Sequence, residues 1–329
     1  MHLLEVKNAK PLKMARNEAL GRRRKTFGHQ EAPVQRIMEY FVREFLDEKR
    51  SYALGPVIMS LACEAVGGEP EMTVPTAAAV ILIGSGAEIH DDIIDMSKTK
   101  NSRLTVFGKF GHSRALIAGN VLFAKGFALL YEKSIDKTDA KKTASVVEII
   151  KNAIVEHANA ECLALKFKGN LGIAPEKYMA VIRMRSSIIE AQARIGGLIG
   201  GGAVKEIKAL RKYGRILGTL SLVRGEFVDV FETAELHHRL MNECLPLPIL
   251  LALQSAKEKD RIIDVLKKEK PTRKDKAALV QAMFETETVE KLKKEMVEMA
   301  QEANRAVARL KPEPMSSLQL LTQLSIKDL

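Results

Sequence analysis

The stretch His90-Asp91-Asp92-Ile93-Ile94-Asp95 sets three carboxylates on one turn of a segment that reads as the end of a buried helix. At helical spacing Asp91 and Asp95 share a face about one turn apart, and Asp92 is rotated from them by roughly 100°. Carboxylates held this close in a core element cannot all stay ionised without a compensating cation. Hard divalent ions such as Mg²⁺ take oxygen ligands of this kind together with phosphate oxygens. The pattern therefore points to a Mg²⁺ site able to carry a phosphorylated ligand. The plainer alternative is a solvated helix end, and the apolar run before the acids weighs against it.

That run, residues 76–89, contains Ala77, Ala78, Ala79, Val80, Ile81, Leu82, Ile83 and Ala87, and it is apolar on every helical face, the mark of a core helix. Thr73 and Pro75 supply N-cap and first-turn chemistry before it. The chain has 329 residues, 46% hydrophobic and 28% charged, enough for one large core. Runs of period two are almost absent, while Ala, Leu, Lys, Glu, Ile and Met recur at helical spacing, so the fold class is all-α. No composition break divides the chain, and a polar, basic N-terminal arm (residues 1–32) is expected before one domain (33–329). Helices are predicted near 33–48, 56–66, 113–131, 140–167, 176–196, 205–235, 248–257 and 286–310. The cluster Gly196-Gly197-Leu198-Ile199-Gly200-Gly201-Gly202 fits neither nucleotide fingerprint and reads as a closely packed helix end.

The N-terminus lacks an apolar signal region, and no uninterrupted apolar run reaches the ~18 residues of a membrane span. Cys63, Cys162 and Cys244 are far apart, odd in number and read as buried thiols of a cytoplasmic protein. The net charge of +11 favours anionic partners: diphosphates, an acidic membrane surface or nucleic acid. Nucleic acid is the poorest fit, because the basic residues are dispersed, Trp is absent and aromatics make up only 5%.

Further downstream and upstream, Ser60-Leu61-Ala62-Cys63-Glu64-Ala65-Val66-Gly67-Gly68, Thr105-Val106, Phe110-Gly111, Ala118-Gly119, Tyr213-Gly214-Arg215-Ile216-Leu217-Gly218 and Leu245-Pro246-Leu247-Pro248 flank the acidic stretch. In order and spacing they resemble the trans-isoprenyl diphosphate synthases, the polyprenyl synthetase family, from about residue 37 to the C-terminus. The resemblance implies the isoprenoid synthase fold, helices around a central cavity. It also implies condensation of isopentenyl diphosphate with an allylic diphosphate held by Mg²⁺ between two aspartate-rich motifs. On this basis Asp91, Asp92 and Asp95 carry over for ionisation of the allylic diphosphate, Asp91 and Asp95 as metal ligands, and Arg185 as a catalytic cation. Lys49, Arg50, Lys100, Arg103 and Arg185 carry over for diphosphate binding.

The second motif departs from the family pattern. It reads Arg224-Gly225-Glu226-Phe227-Val228-Asp229, with Gly225 where the family has a metal-binding aspartate, which leaves Glu226 and Asp229 as candidate ligands. Lys100-Asn101-Ser102 replaces an Arg-Arg-Gly element, Arg185-Ser186 a Lys-Thr pair, Ser221-Leu222 a Phe-Gln pair, and Asn242-Glu243-Cys244 a Lys-containing stretch. Each change falls on a part that handles diphosphate. Two readings follow: an accessory or divergent subunit that forms a homo- or hetero-dimer with another prenyl synthase, or a self-sufficient prenyltransferase with a rebuilt second metal site. In the second case the small residues Gly84, Gly86 and Ala87 predict an open cavity floor and a longer product. A non-enzymatic basic binding module leaves the acidic helix unexplained.

Overall fold

The computed structural model describes the chain apart from residue 1 and residues 21–32, 47–53, 101–102, 134–139, 232, 256, 258, 269–271 and 328–329. It is almost wholly helical and divides into two compact units, Met1–Glu148 with Ile195–Ala203, and Ile149–Arg194 with Val204–Leu329.

In the first unit the helices are α1 (His2–Leu20), α2 (Pro33–Glu44), α3 (Leu54–Ala65), α4 (Val74–Ile94), α5 (Val106–Phe110) and α6 (His112–Lys133). A two-residue ladder pairs β1 (Thr99–Lys100) with β2 (Arg103–Leu104) in the segment after α4. Within the expected polar arm, α1 is a packed helix whose Leu12, Ala15 and Ala19 are fully buried. The acidic helix α4 packs along α6, and both are long and apolar enough to cross a membrane by length and composition. Their apolarity has a local use: buried side chains such as Ile81, Leu82 and Ile89 each contribute about 1.5–3 kcal/mol through burial. Glycines bring the two backbones together. A Cβ on Gly86 would lie 2.7 Å from Phe123, one on Gly119 2.3 Å from His90, and one on Gly126 2.6 Å from Ile83. Thr73 occupies the N-cap position of α4, but its hydroxyl donates to the Pro70 carbonyl at 2.7 Å and caps no backbone N–H.

The helices α7 (Ala140–Ala164) and α9 (Ser187–Ile199) are each shared between the units. The second unit adds α8 (Pro175–Arg185), α10 (Val204–Phe231), α11 (Thr233–Asn242), α12 (Leu247–Ala252), α13 (Lys259–Leu266), α14 (Arg273–Phe284), α15 (Glu287–Val307) and α16 (Pro312–Ile326). The long helix expected over 176–196 is broken at Ser186 between α8 and α9. Along α15, Val289, Leu292, Met296 and Ala303 are buried in one stripe, and the helix packs on α10. The glycine cluster closes α9 against α3, since a Cβ on Gly196 would lie 2.2 Å from the Met59 carbonyl oxygen. Of the three cysteines expected to be buried, Cys63 and Cys244 are, whereas Cys162 is exposed.

Candidate functional site

The acidic turn lies at the C-terminal end of α4. Met96 adopts a left-handed conformation (φ 58°), and the amides of Met96 and Ser97 close back onto the carbonyls of Ile93 and Asp92. This cap ends the helix and leaves Asp95 at its C-cap position. Carboxylates at this end face the negative pole of the helix dipole, which adds to their mutual repulsion. Asp92 is buried, and burial pushes its carboxyl up to about 7; Glu88 and Asp91 add to the shift and Lys100 opposes it. The cluster thus calls for positive charge on electrostatic grounds.

Lys100 supplies part of it. Its ammonium sits 2.9 Å from Glu88, one turn before the aspartates. Burial disfavours its charge, but Glu88 first, then Asp92 and Asp91, outweigh this and raise its pKa. Glu88, for which the sequence offers no role, is therefore the carboxylate that seats Lys100. The loop carrying Lys100 is pinned by Thr105, whose amide donates to Lys98, whose hydroxyl donates to Ser97, and whose Oγ1 caps α5 at Gly108. Arg103 donates to the backbone and side chain of Glu44, at 3.2 and 3.3 Å. Lys49 and Arg50 lie outside the described residues. Gly86 packs closely against Phe123, whereas Gly84 is exposed with open space where a side chain would stand.

In the second unit, Arg185 forms a two-pronged pair with Glu161, at 2.7 and 2.6 Å. On α10, Arg215 spans Glu156 and Glu190, and Arg211 also reaches Glu190. The second acidic motif lies on α10. A Cβ at Gly225 would meet no atom within 4 Å. Glu226 is buried, and each of its oxygens accepts from two donors. Oε1 takes the Tyr178 hydroxyl (3.0 Å) and Arg239 (3.1 Å); Oε2 takes the Leu247 amide (2.9 Å) and Arg239 (3.1 Å). Asp229 accepts from Arg239 at 2.6 Å. The guanidinium also donates to the Tyr178 hydroxyl (2.7 Å) and the Cys244 carbonyl (3.1 Å).

A hard divalent cation needs oxygen donors with lone pairs to give. The acidic turn of α4 carries carboxylate oxygens of this type, whose mutual repulsion a cation would relieve. Glu226 does not fit, since both its oxygens already serve a guanidinium, a phenol and an amide, and Asp229 Oδ2 serves the same guanidinium. Among the described residues no three His, Cys or carboxylate groups converge as a ready-made metal cluster. Sequence reasoning missed Arg239 and Tyr178, because neither stands in an acidic motif and only the return of α11 along α10 brings Arg239 back to it.

The polyprenyl synthetase model matches residues 38–283 of this all-α chain. The chain belongs to that family. A short chain isoprenyl diphosphate synthase of Methanothermobacter thermautotrophicus is 31% identical over 63% of this chain; the match spans 64% of that relative's length. A geranylgeranyl diphosphate synthase of Methanosarcina mazei is 25% identical over 88% of this chain and 89% of its own length. The crystal structure of geranylgeranyl pyrophosphate synthetase from Pyrococcus horikoshii shares the fold, with a TM-score of 0.84 at 23% identity, covering 100% of this chain and 99% of that one.

Proposed function

We propose that this chain binds Mg²⁺ and a prenyl diphosphate through Asp91, Asp92 and Asp95, and serves as an accessory subunit of a trans-prenyl diphosphate synthase. The observation that carries the reading is Gly225. A side chain would have room there, so the leading carboxylate of the second motif is missing by residue choice and not by crowding. In this reading Asp91 and Asp95 hold the metal, Asp92 supports them, and Lys100 and Arg103 add positive charge toward the diphosphate. Mg²⁺ supplies stabilisation of the negative charge that develops on a departing diphosphate. Removing one such stabiliser costs a few kcal/mol, or roughly 10²–10³ in rate. The chain by itself is then close to silent, and a fuller subunit performs the condensation.

A surface suited to such a partner lies on α6. Leu116, Ile117, Phe127 and Tyr131 are exposed, and at 100° per residue they fall within an arc of roughly 100°. Apolar side chains in one stripe mark an interaction face more often than scattered ones do. The net charge of +11 suits the diphosphate ligands and an anionic membrane surface nearby.

The test incubates the purified chain with Mg²⁺, labelled isopentenyl diphosphate and allylic diphosphates of increasing length, with Asp91→Ala/Asp95→Ala as control. A family synthase is then added. The expected outcome is no product above the control from the chain alone, and an altered rate or product length once the second synthase is present. Elongation by the chain alone that disappears in the control establishes a self-sufficient enzyme and sinks the accessory reading.

A further inference from the structure

We infer that Arg239 is a built-in cation that stands in place of a divalent metal at the second acidic motif, so that Glu226 and Asp229 take no metal ion. The argument is one of donors and acceptors. Arg239 has a side chain only 4% exposed; Nε donates to Cys244, Nη1 to Asp229, and the two Nη2 hydrogens are shared among the Tyr178 hydroxyl and both Glu226 oxygens. A guanidinium carries five N–H donors and no acceptor, and it holds its charge at every pH a protein survives. It neutralises the two carboxylates as an ion would, and its planar fork fits them better than a lysine would.

The rest of the pocket is built around this arrangement. The Tyr178 hydroxyl donates to Glu226 and accepts from Arg239, so it completes both at once. Burial raises the Tyr178 pKa, with Glu226 adding to the shift, which keeps the phenol protonated as a donor. The Leu247 amide fixes the remaining Glu226 oxygen at the start of α12. For a metal to enter, Arg239 would have to leave. It would abandon the Cys244 carbonyl and the Tyr178 hydroxyl in a region where Glu226 and Tyr178 are buried. The positive charge of a departing guanidinium and that of an arriving ion also repel. Gly225 and Arg239 therefore act in the same direction: the first offers no ligand, and the second removes the need for the ion.

The inference deepens the accessory reading but stands on different atoms, and Mn²⁺ binding in the presence of inorganic diphosphate separates the two. Mn²⁺ is titrated by its paramagnetic resonance signal into the wild-type chain, Asp229→Asn and Asp91→Asn/Asp95→Asn. Asp229 is partly exposed, so its amide variant is expected to fold; thermal melting checks this. The expected result is Asp229→Asn within twofold of wild type in affinity and equal to it in ions bound, with binding lost in Asp91→Asn/Asp95→Asn. If the wild type binds no Mn²⁺ at all, the reading of the first motif fails and the closed second pair is upheld. A tenfold or greater loss of affinity in Asp229→Asn, or one ion fewer bound, overturns the inference.

Discussion

Replacing Arg239 with methionine leaves Glu226 as a charge that is 7% exposed, with its counter-ion gone. Breaking a buried pair from one side costs about 3–5 kcal/mol, because the stranded ion keeps its desolvation penalty. The five hydrogen bonds that Arg239 makes leave little room for water to compensate. With roughly 2.1 cal/mol/K per residue of unfolding entropy, a chain of this length melting as a whole has about 0.7 kcal/mol/K, which converts the loss to a fall in Tm of ~4–7 °C. If the second unit melts by itself the entropy is smaller and the fall larger. Adding Glu226→Gln removes the stranded charge; the amide oxygen still accepts from the Leu247 amide, and the amide nitrogen can donate to the Tyr178 hydroxyl, which Arg239 no longer serves. The double variant is expected to recover more than half of the loss. Thermal and urea unfolding followed by circular dichroism measure both changes. An Arg239→Met protein within about 1 kcal/mol of wild type, or a double variant less stable than the single, would show that the cluster is not held as a charged unit.

Three further outcomes follow from the geometry. Gly196→Ala drives a Cβ to 2.2 Å from the Met59 carbonyl oxygen and should destabilise by about 1–3 kcal/mol, whereas Gly84→Ala meets nothing and should stabilise α4 by about 0.5–1 kcal/mol; equilibrium unfolding compares them. At neutral pH one thiol, the exposed Cys162, should react promptly with a disulfide reagent; burial raises Cys63 to about 11 and Cys244 to about 12, so their reactive thiolate is scarce until the chain unfolds. Glu88→Gln frees Lys100 from a half-exposed pair worth no more than about 1 kcal/mol, so Mg²⁺-dependent diphosphate binding should tighten by up to about fivefold in calorimetry. Weaker binding would instead make Glu88 part of the metal's own support.

The elements that the sequence marked well are those decided by local periodicity. The apolar run before Asp91, the amphipathic stripe from Val289 to Ala303 and the glycine-rich end at 196–202 each carry their fate in a few neighbouring residues, and α4, α15 and the α9–α3 contact follow. Failures occurred where a competing local hydrogen bond or a distant partner decides. Thr73 had the right residue type for a cap but found the Pro70 carbonyl first. Gly86 leaves room for Phe123 across a helix pair, a contact that spacing along one helix does not reveal. The helix over 176–196 breaks at Ser186, whose hydroxyl donates to the Arg183 carbonyl.

By itself the sequence determined the helical class, the family and the acidic turn at Asp91, Asp92 and Asp95. These are properties of residue type and spacing along one helix, where i and i+4 neighbours are set by the 3.6-residue turn. Only the tertiary structure decided what the surviving acids do. Glu226 and Asp229 read equally well as metal ligands or as ion-pair partners until α11 returns along α10 and delivers Arg239 to both. Glu88 had no role until the loop after α4 folded Lys100 back to it. A carboxylate declares its charge in the sequence; which cation answers it depends on chain segments that spacing alone does not bring together.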